Sequence, residues 1–98
     1  MAGHSNIVEI EDISVDDTYL PPRYGRMNKN VSEALRMSAF EEGIILDPNY
    51  SGGALAGLIQ LTRNGIIASG QNVLFIHTGG VPANFGYHND LETLMVDA

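Results

Sequence analysis

Apolar and polar positions along the chain change period several times, and three stretches have the pattern of strands. Residues 7–15 alternate apolar with polar side chains, with one slip near Glu11, which predicts a strand carrying a bulge. Residues 44–46 and 73–78 are short, mainly apolar runs bounded by turn residues. Such runs are typical of strands that are buried on both faces of a parallel sheet.

Helical spacing lies between and after these runs. Asn30 to Glu33 has the spacing of a capping box, which predicts a helix that Gly43 ends. Asn49 or Ser51 can cap the next helix, and a short helical turn is expected near Pro82. The predicted helices are 31–42, 53–64 and a short carboxyl-terminal helix that begins near the second capping box, 89–92.

The resulting order β, α, β, α, β, α predicts an α/β fold. We expect a small three-layer domain with a mainly parallel sheet and right-handed crossovers. The chain has 98 residues, which suits one domain over 7–98. Residues 1–6 are interpreted as a disordered start or a tag remnant and carry no part of this fold.

The amino-acid composition of the chain argues against several classes of function. Five Lys and Arg face twelve Asp and Glu, a net charge of −7, which disfavours binding to nucleic acid or to an anionic membrane. The absence of cysteine excludes disulfides and thiolate metal sites and suits a cytoplasmic protein. The histidines are too scattered to predict a metal site.

Candidate chemistry lies where the predicted strands end, because ligands of parallel sheets bind at the carboxyl ends of strands. Hydroxyl groups and glycines in the loops there can bond a ligand or let the backbone approach it. The candidates are Tyr24, Tyr50, Ser51, Thr78, Gly79 and Gly80. The alternatives from pattern alone are turn chemistry for the two glycines and core packing for Tyr50. His77, in a predicted buried strand, is interpreted as a satisfied core histidine.

Three separated motifs change this picture. They are Pro22-Arg23-Tyr24-Gly25, Leu46-Asp47-Pro48-Asn49-Tyr50-Ser51-Gly52-Gly53 and Val73-Leu74-Phe75-Ile76-His77-Thr78-Gly79-Gly80. In this order and spacing they resemble the carboxyl-terminal part of the 1-aminocyclopropane-1-carboxylate deaminase and D-cysteine desulfhydrase family. These are pyridoxal-phosphate enzymes with the tryptophan-synthase-β type of fold, and the resemblance covers about residues 7–87.

The resemblance implies roles for individual residues. Tyr24 and Tyr50 fall on two family tyrosines that approach cofactor and substrate and act in catalysis. Ser51, Thr78 and the following Gly79 and Gly80 fall on the cofactor side of the site. A hydroxyl at Thr78 is typical of the desulfhydrase branch, and the deaminase branch has a glutamate where this chain has Ser51. The resemblance therefore favours β-elimination over opening of a cyclopropane ring.

Two family features have no counterpart here. The lysine that binds the cofactor covalently and the loop that holds its phosphate lie earlier in the family's chain, and the sole lysine, Lys29, matches neither. We therefore expect a fragment or remnant of an amino-acid deaminase or desulfhydrase that binds no pyridoxal phosphate and performs no chemistry alone. Its expected partners are another copy of itself or the missing amino-terminal portion. The alternative is a stand-alone small-molecule-binding or interaction module that reuses the fold.

Overall fold

A computed structural model describes residues 8–16 and 28–96 of the protein. Its α-helices are α1 (Lys29–Glu42), α2 (Ser51–Arg63) and α3 (His88–Val96). Short 3₁₀ helices cover Ile10–Asp12 and Val81–Tyr87. Residues 1–6 and Tyr24 lie outside the described residues, so the predictions for them stay predictions.

The predicted α/β fold with a mainly parallel sheet is wrong for this chain, because 8–16 and 28–96 contain no strand. Residues 44–46 and 73–78 are not helical, but no backbone ladder joins them. The carbonyls of Ile45 and Leu46 accept hydrogen bonds from the side chains of His77 and Asn84 instead. The N–H of Ile44 is also taken, since it closes the end of α1. These groups are therefore not available to a neighbouring strand.

The strand predicted over 7–15 is also absent from its described part. The backbone there forms local hydrogen bonds instead of bonds to a neighbouring strand. The N–H of Glu9 donates to Asp12 Oδ2 at 2.9 Å, and the N–H of Asp12 donates to the Glu9 carbonyl at 3.0 Å. This reciprocal pair closes the turn Ile10–Asp12. Ile10 and Val15 are 80% and 89% exposed, so no described part of the chain covers the alternating apolar side chains.

The predicted helices are confirmed, with shifted ends. α1 begins two residues before the predicted start because Asn28, not Asn30, is its cap: Asn28 Oδ1 accepts the N–H of Val31 at 2.8 Å. Glu33 is not part of a capping box and instead forms two hydrogen bonds with Arg63 across α1 and α2. α2 likewise begins two residues early, at Ser51.

The core lies between α1 and α2. Its fully buried apolar side chains are Val31, Ala34, Leu35, Leu46 and Ala56, with Leu55, Ile59, Phe75 and Leu91 packed against them and partly buried. Removing a valine or leucine side chain from water stabilises a fold by about 1.5–3 kcal/mol. Phe40, near the end of α1, is 54% exposed and lies under the guanidinium of Arg36.

Gly52 brings α2 close to its neighbours. A Cβ at this position would lie 2.5 Å from the Asp47 carbonyl oxygen and 3.3 Å from side-chain carbons of Val31 and Leu35. The first contact is with backbone, which cannot move without breaking the hydrogen bond from the Gly52 N–H to the same oxygen, 2.8 Å long. No larger residue fits here without a shift of the helix start.

Two alanine substitutions side by side test this close approach. Gly52→Ala should destabilise the protein by about 2 kcal/mol or more because overpacking forces backbone shifts. Gly53→Ala meets no atom within 4 Å and should stabilise the protein by up to about 1 kcal/mol through helix propensity. Urea unfolding followed by circular dichroism measures both, and equal midpoints for the two variants would contradict the packing account.

Candidate functional site

The carboxylate of Asp47 organises the turn that leads into α2. Its Oδ2 accepts the N–H groups of Asn49 and Tyr50, each at 2.8 Å, and its Oδ1 accepts the N–H of Ser51 at 2.9 Å. The Ser51 hydroxyl donates to the same Oδ1 at 2.6 Å and accepts the Asp47 N–H at 3.0 Å. Asp47 and Ser51 are both almost completely buried. A negative charge at this end of α2 also suits the helix dipole.

The environment lowers the pKa of Asp47 below its ordinary value. Burial raises this pKa, but the hydrogen bonds from the Ser51 hydroxyl and from the N–H groups of Asn49, Tyr50 and Ser51 together outweigh burial. The charged form is therefore the one that the fold stabilises.

A second segment, residues 77–87, lies against residues 45–49. Three side-chain hydrogen bonds join them, namely His77 Nε2 with the Ile45 carbonyl (2.8 Å), Asn84 Nδ2 with the Leu46 carbonyl (3.0 Å) and Tyr87 Oη with Asn49 Oδ1 (2.9 Å). We call these bonds the side-chain clasp. The clasp joins residues that lie 32 to 38 positions apart in the sequence.

Gly80 makes the closest approach within this pairing. Its φ is 91°, and a Cβ on it would lie 2.4 Å from Asp47 Oδ1 and 2.6 Å from Asp47 Cγ. The backbone of Gly80 therefore packs directly on the carboxylate that also binds the backbone of Tyr50. One buried carboxylate thus hydrogen-bonds the turn that carries Tyr50 and contacts the turn that carries Thr78.

The predicted site residues lie in different surroundings. Tyr50 is 57% exposed, and Thr78 is exposed with no hydrogen bond to the described residues. Ser51 directs its hydroxyl into the fold, at Asp47, rather than toward a ligand. Gly79 has no atom within 4 Å of a Cβ built on it.

Tyr50 also lines an open groove with a volume of about 470 Å³, large enough for a small molecule. One wall is a stripe of α2 with small and apolar side chains, and Asp16 and Asn49 lie at the groove as well. Thr78 is not among its lining residues. The structure therefore brings together the backbones of the two turns but does not place both hydroxyls in one cavity.

Sequence reasoning missed two central residues, Asp47 and His77. Asp47 is part of a family motif but not one of the expected site residues, although a carboxylate just before a helix start is a frequent cap. The interpretation of His77 as a buried core histidine is wrong: it is exposed and bonded at both ring nitrogens. Only the fold reveals its partner, since Ile45 is distant in sequence.

Residues 8–16 and 28–96 contain neither a metal site nor a membrane-spanning helix. No group of three His, Asp or Glu side chains there converges to hold a metal ion. None of the helices in the described chain has the length and apolar character needed to cross a membrane.

Comparison with known proteins gives the family. No family model matches, but D-cysteine desulfhydrase of Serratia proteamaculans is 42% identical over 88 residues, 90% of this chain and 27% of that protein. The 1-aminocyclopropane-1-carboxylate deaminase of Pseudomonas syringae pv. syringae is 41% identical over 80 residues, 82% of this chain and 24% of that protein. The chain belongs to the D-cysteine desulfhydrase and 1-aminocyclopropane-1-carboxylate deaminase family.

A third family relative is the probable 1-aminocyclopropane-1-carboxylate deaminase of Schizosaccharomyces pombe, 42% identical over 76 residues, 78% of this chain and 22% of that protein. The chain therefore spans about a quarter of the length of the curated relatives it matches. The family resemblance drawn from the three motifs is confirmed.

Asp47→Asn tests whether the charge holds this family's turn together. The hydrogen bonds hold the pKa of the folded-state Asp47 carboxyl below its ordinary value, so the unfolded chain takes up the proton first as pH falls. The charge therefore stabilises the fold above about pH 4, and its contribution is lost as pH falls through the folded pKa. At neutral pH the variant should lose about 1–3 kcal/mol, the range for hydrogen bonds to a charged group.

Urea unfolding of both proteins between pH 7 and pH 3 measures this effect. The difference between wild type and Asp47→Asn should shrink toward acid. Asp90→Asn, at an exposed position in the first turn of α3, is the matched control and should change little. A difference for Asp47→Asn that stays constant with pH would show that shape rather than charge matters.

Adjacent glycines isolate the contact between Gly80 and Asp47. Both Gly79 and Gly80 have positive φ, so alanine at either costs about 1–2 kcal/mol in backbone strain. Only Gly80→Ala also displaces the buried carboxylate, and it should lose at least about 1 kcal/mol more. Chemical denaturation compares them, and equal losses would contradict the contact.

Proposed function

We propose that this chain supplies the carboxyl-terminal part of a pyridoxal-phosphate site in an enzyme that acts on a small amino acid by β-elimination, as the name D-cysteine desulfhydrase of its relative suggests. The observation that carries the proposal is the shared anchor at Asp47. It holds the turn bearing Tyr50 and the turn bearing Thr78, while both of those side chains are exposed.

The described residues fit one edge of the cofactor. When bound, pyridoxal phosphate withdraws electrons from the substrate and so makes bonds at its α-carbon labile. Thr78 offers an exposed hydroxyl with no hydrogen bond to the described residues, suited to the ring nitrogen. A neutral hydroxyl keeps that nitrogen less protonated than a carboxylate would, which favours β-elimination over the more demanding deamination. Gly79 and Gly80 carry the backbone past this edge.

The remaining proposed roles concern the substrate. Tyr50 lines the open groove next to α2 and can hold or move a proton there through its hydroxyl. Tyr24, which the family resemblance pairs with Tyr50, would act beside it. Ser51 contributes indirectly: its hydroxyl fixes the Asp47 carboxylate, which in turn bonds the Tyr50 N–H.

The amine and the phosphate contacts must come from elsewhere. Lys29 lines a groove on α1 with Ser32, Glu33 and Arg36, and that groove contains none of the predicted site residues. A lysine there cannot serve as the amine of the proposed site. We therefore propose that the chain alone does not bind the cofactor productively and that a lysine-bearing portion completes it.

Exposed apolar side chains indicate where the completing portion docks. Leu74 and Ile76 are 85% and 70% exposed in the segment 73–78, whose apolar pattern is that of a strand buried on both faces. The relatives are more than three times as long as this chain, which matches about a quarter of each. We propose that the completing portion covers the exposed apolar side chains of this segment.

Complementation tests the proposal. The chain is coexpressed with the part of the Serratia relative that it does not match, and the complex is tested for bound cofactor by its visible spectrum and for sulfide release from D-cysteine. Thr78→Val should shift the spectrum and lower activity about 10²-fold or more, a typical loss for one preorganised polar contact. Thr78→Ser should restore both, and Thr62→Val, at an exposed threonine of α2, should do nothing.

The isolated chain provides the complementary measurement. With pyridoxal phosphate and borohydride, labelling of Lys29 should be no greater in the native chain than in urea. Mass spectrometry of the peptides measures it. Native labelling well above the denatured level would contradict the assignment of the amine to another portion.

A second candidate function is a stand-alone interaction module that forms oligomers. It is favoured by the exposure of Leu74, Ile76 and Phe85 in one described part of the chain, since exposed apolar side chains promote association. Analytical ultracentrifugation of the isolated chain distinguishes the two: a stable dimer that also excludes the completing portion favours the module.

A further inference from the structure

His77 is held at both nitrogens of its ring. Nε2 lies 2.8 Å from the Ile45 carbonyl oxygen, and Nδ1 lies 3.0 Å from the backbone nitrogen of Gly79. A carbonyl only accepts, so Nε2 must carry a hydrogen, and an N–H only donates, so Nδ1 must carry none. The two contacts together therefore require the neutral imidazole with its proton on Nε2.

The bond to Gly79 closes a small ring of atoms around Thr78. The His77 side chain accepts from the N–H two residues later, so Thr78 is the residue in the middle of the closed turn. Such local side-chain bonds fix the backbone direction of the enclosed residue. The backbone at Thr78 in turn sets the direction of its Cα–Cβ bond and so limits where its hydroxyl can lie.

The bond to Ile45 has a different effect. Ile45 is two residues before Asp47, and Gly80, next to Gly79, packs on the Asp47 carboxylate. The turn at 78–80 is thus attached on one side through the His77 ring and on the other through Gly80. Thr78 is held between these attachments without bonding to the described chain itself.

We infer that His77 is a positioning residue that orients the Thr78 hydroxyl, and that its two ring nitrogens divide the work. Nδ1 sets the local conformation of Thr78, and Nε2 attaches the turn to the rest of the fold. The geometric part needs no cofactor, whereas the purpose of the orientation rests on the proposed function of Thr78.

Two substitutions of His77 test the contributions of its two ring nitrogens separately. Asn places an acceptor oxygen where Nδ1 lies but is too short to reach Ile45, so His77→Asn should keep the bond to Gly79. Gln extends its amide nitrogen toward the position of Nε2, so His77→Gln should keep the bond to Ile45 and lose that to Gly79. Each variant therefore retains one half of the function of the ring.

The experiment uses the full chain without cofactor. NMR should find His77 with its proton on Nε2. In His77→Gln the Gly79 amide should exchange with solvent roughly three- to tenfold faster, the change expected for one exposed hydrogen bond, and the Thr78 side chain should average over rotamers. In His77→Asn both signals should stay as in the wild type, while the urea midpoint falls.

The result that overturns the inference is a His77→Gln variant with unchanged Gly79 exchange and an unchanged Thr78 rotamer, or a wild-type ring with its proton on Nδ1. Failure of the proposed function is visible separately, because Thr78→Val would then leave the spectrum of the complemented complex unchanged. A merely structural histidine would lower stability in both variants and would not distinguish them at Thr78.

Discussion

The rest of the described structure depends on one buried charge, the carboxylate of Asp47. A carboxylate excluded from water is costly unless donors surround it. Four donors from three successive residues meet that need, and in doing so they shape the turn 47–51 and begin α2. The close contact of Gly80 with the same carboxylate then ties a distant segment to this turn. Local and long-range structure share one electrostatic centre.

The side-chain clasp explains how the two segments stay together without a sheet. In a parallel ladder, the carbonyls of Ile45 and Leu46 would accept from a neighbouring backbone. Here side chains from 77–87 bind these carbonyls, so only a few hydrogen bonds join the two segments. The apolar side chains of 73–76 stay largely exposed. The segment 73–76 therefore lacks the buried apolar surface that normally stabilises a strand.

The sequence was sufficient to place the α-helices. Helix periodicity, the glycine after α1 and the turn signals before α2 predict the helices to within about two residues, because their hydrogen bonds are made by near neighbours. The strands could not be predicted in the same way. An apolar run such as 73–78 indicates that its side chains are suited to burial. A strand also needs a neighbouring strand whose backbone carbonyls are free to accept hydrogen bonds. Here nearby side chains have taken them.

The sequence likewise predicted only part of the candidate site. Hydroxyl chemistry and family motifs singled out Ser51 and Thr78 alike, since both are small hydroxyl residues beside glycines. The two residues differ in their surroundings: the Ser51 hydroxyl is buried against Asp47, whereas Thr78 is exposed. The sequence pattern could not show this difference, because it does not reveal the hydrogen-bond partner of a side chain.

A residue with an exposed polar group needs a rigid frame if it is to recognise a ligand, because ordering it on binding would cost affinity. The frame around Thr78 consists of His77 on one side and Gly80 on the other, each attached to the chain that precedes α2. Thr78 itself spends no hydrogen bond on the described fold. In the proposed site, the residues that hold the turn and the residue that would contact the ligand are therefore distinct. That separation argues that the turn is built to present Thr78 rather than merely to end an extended segment.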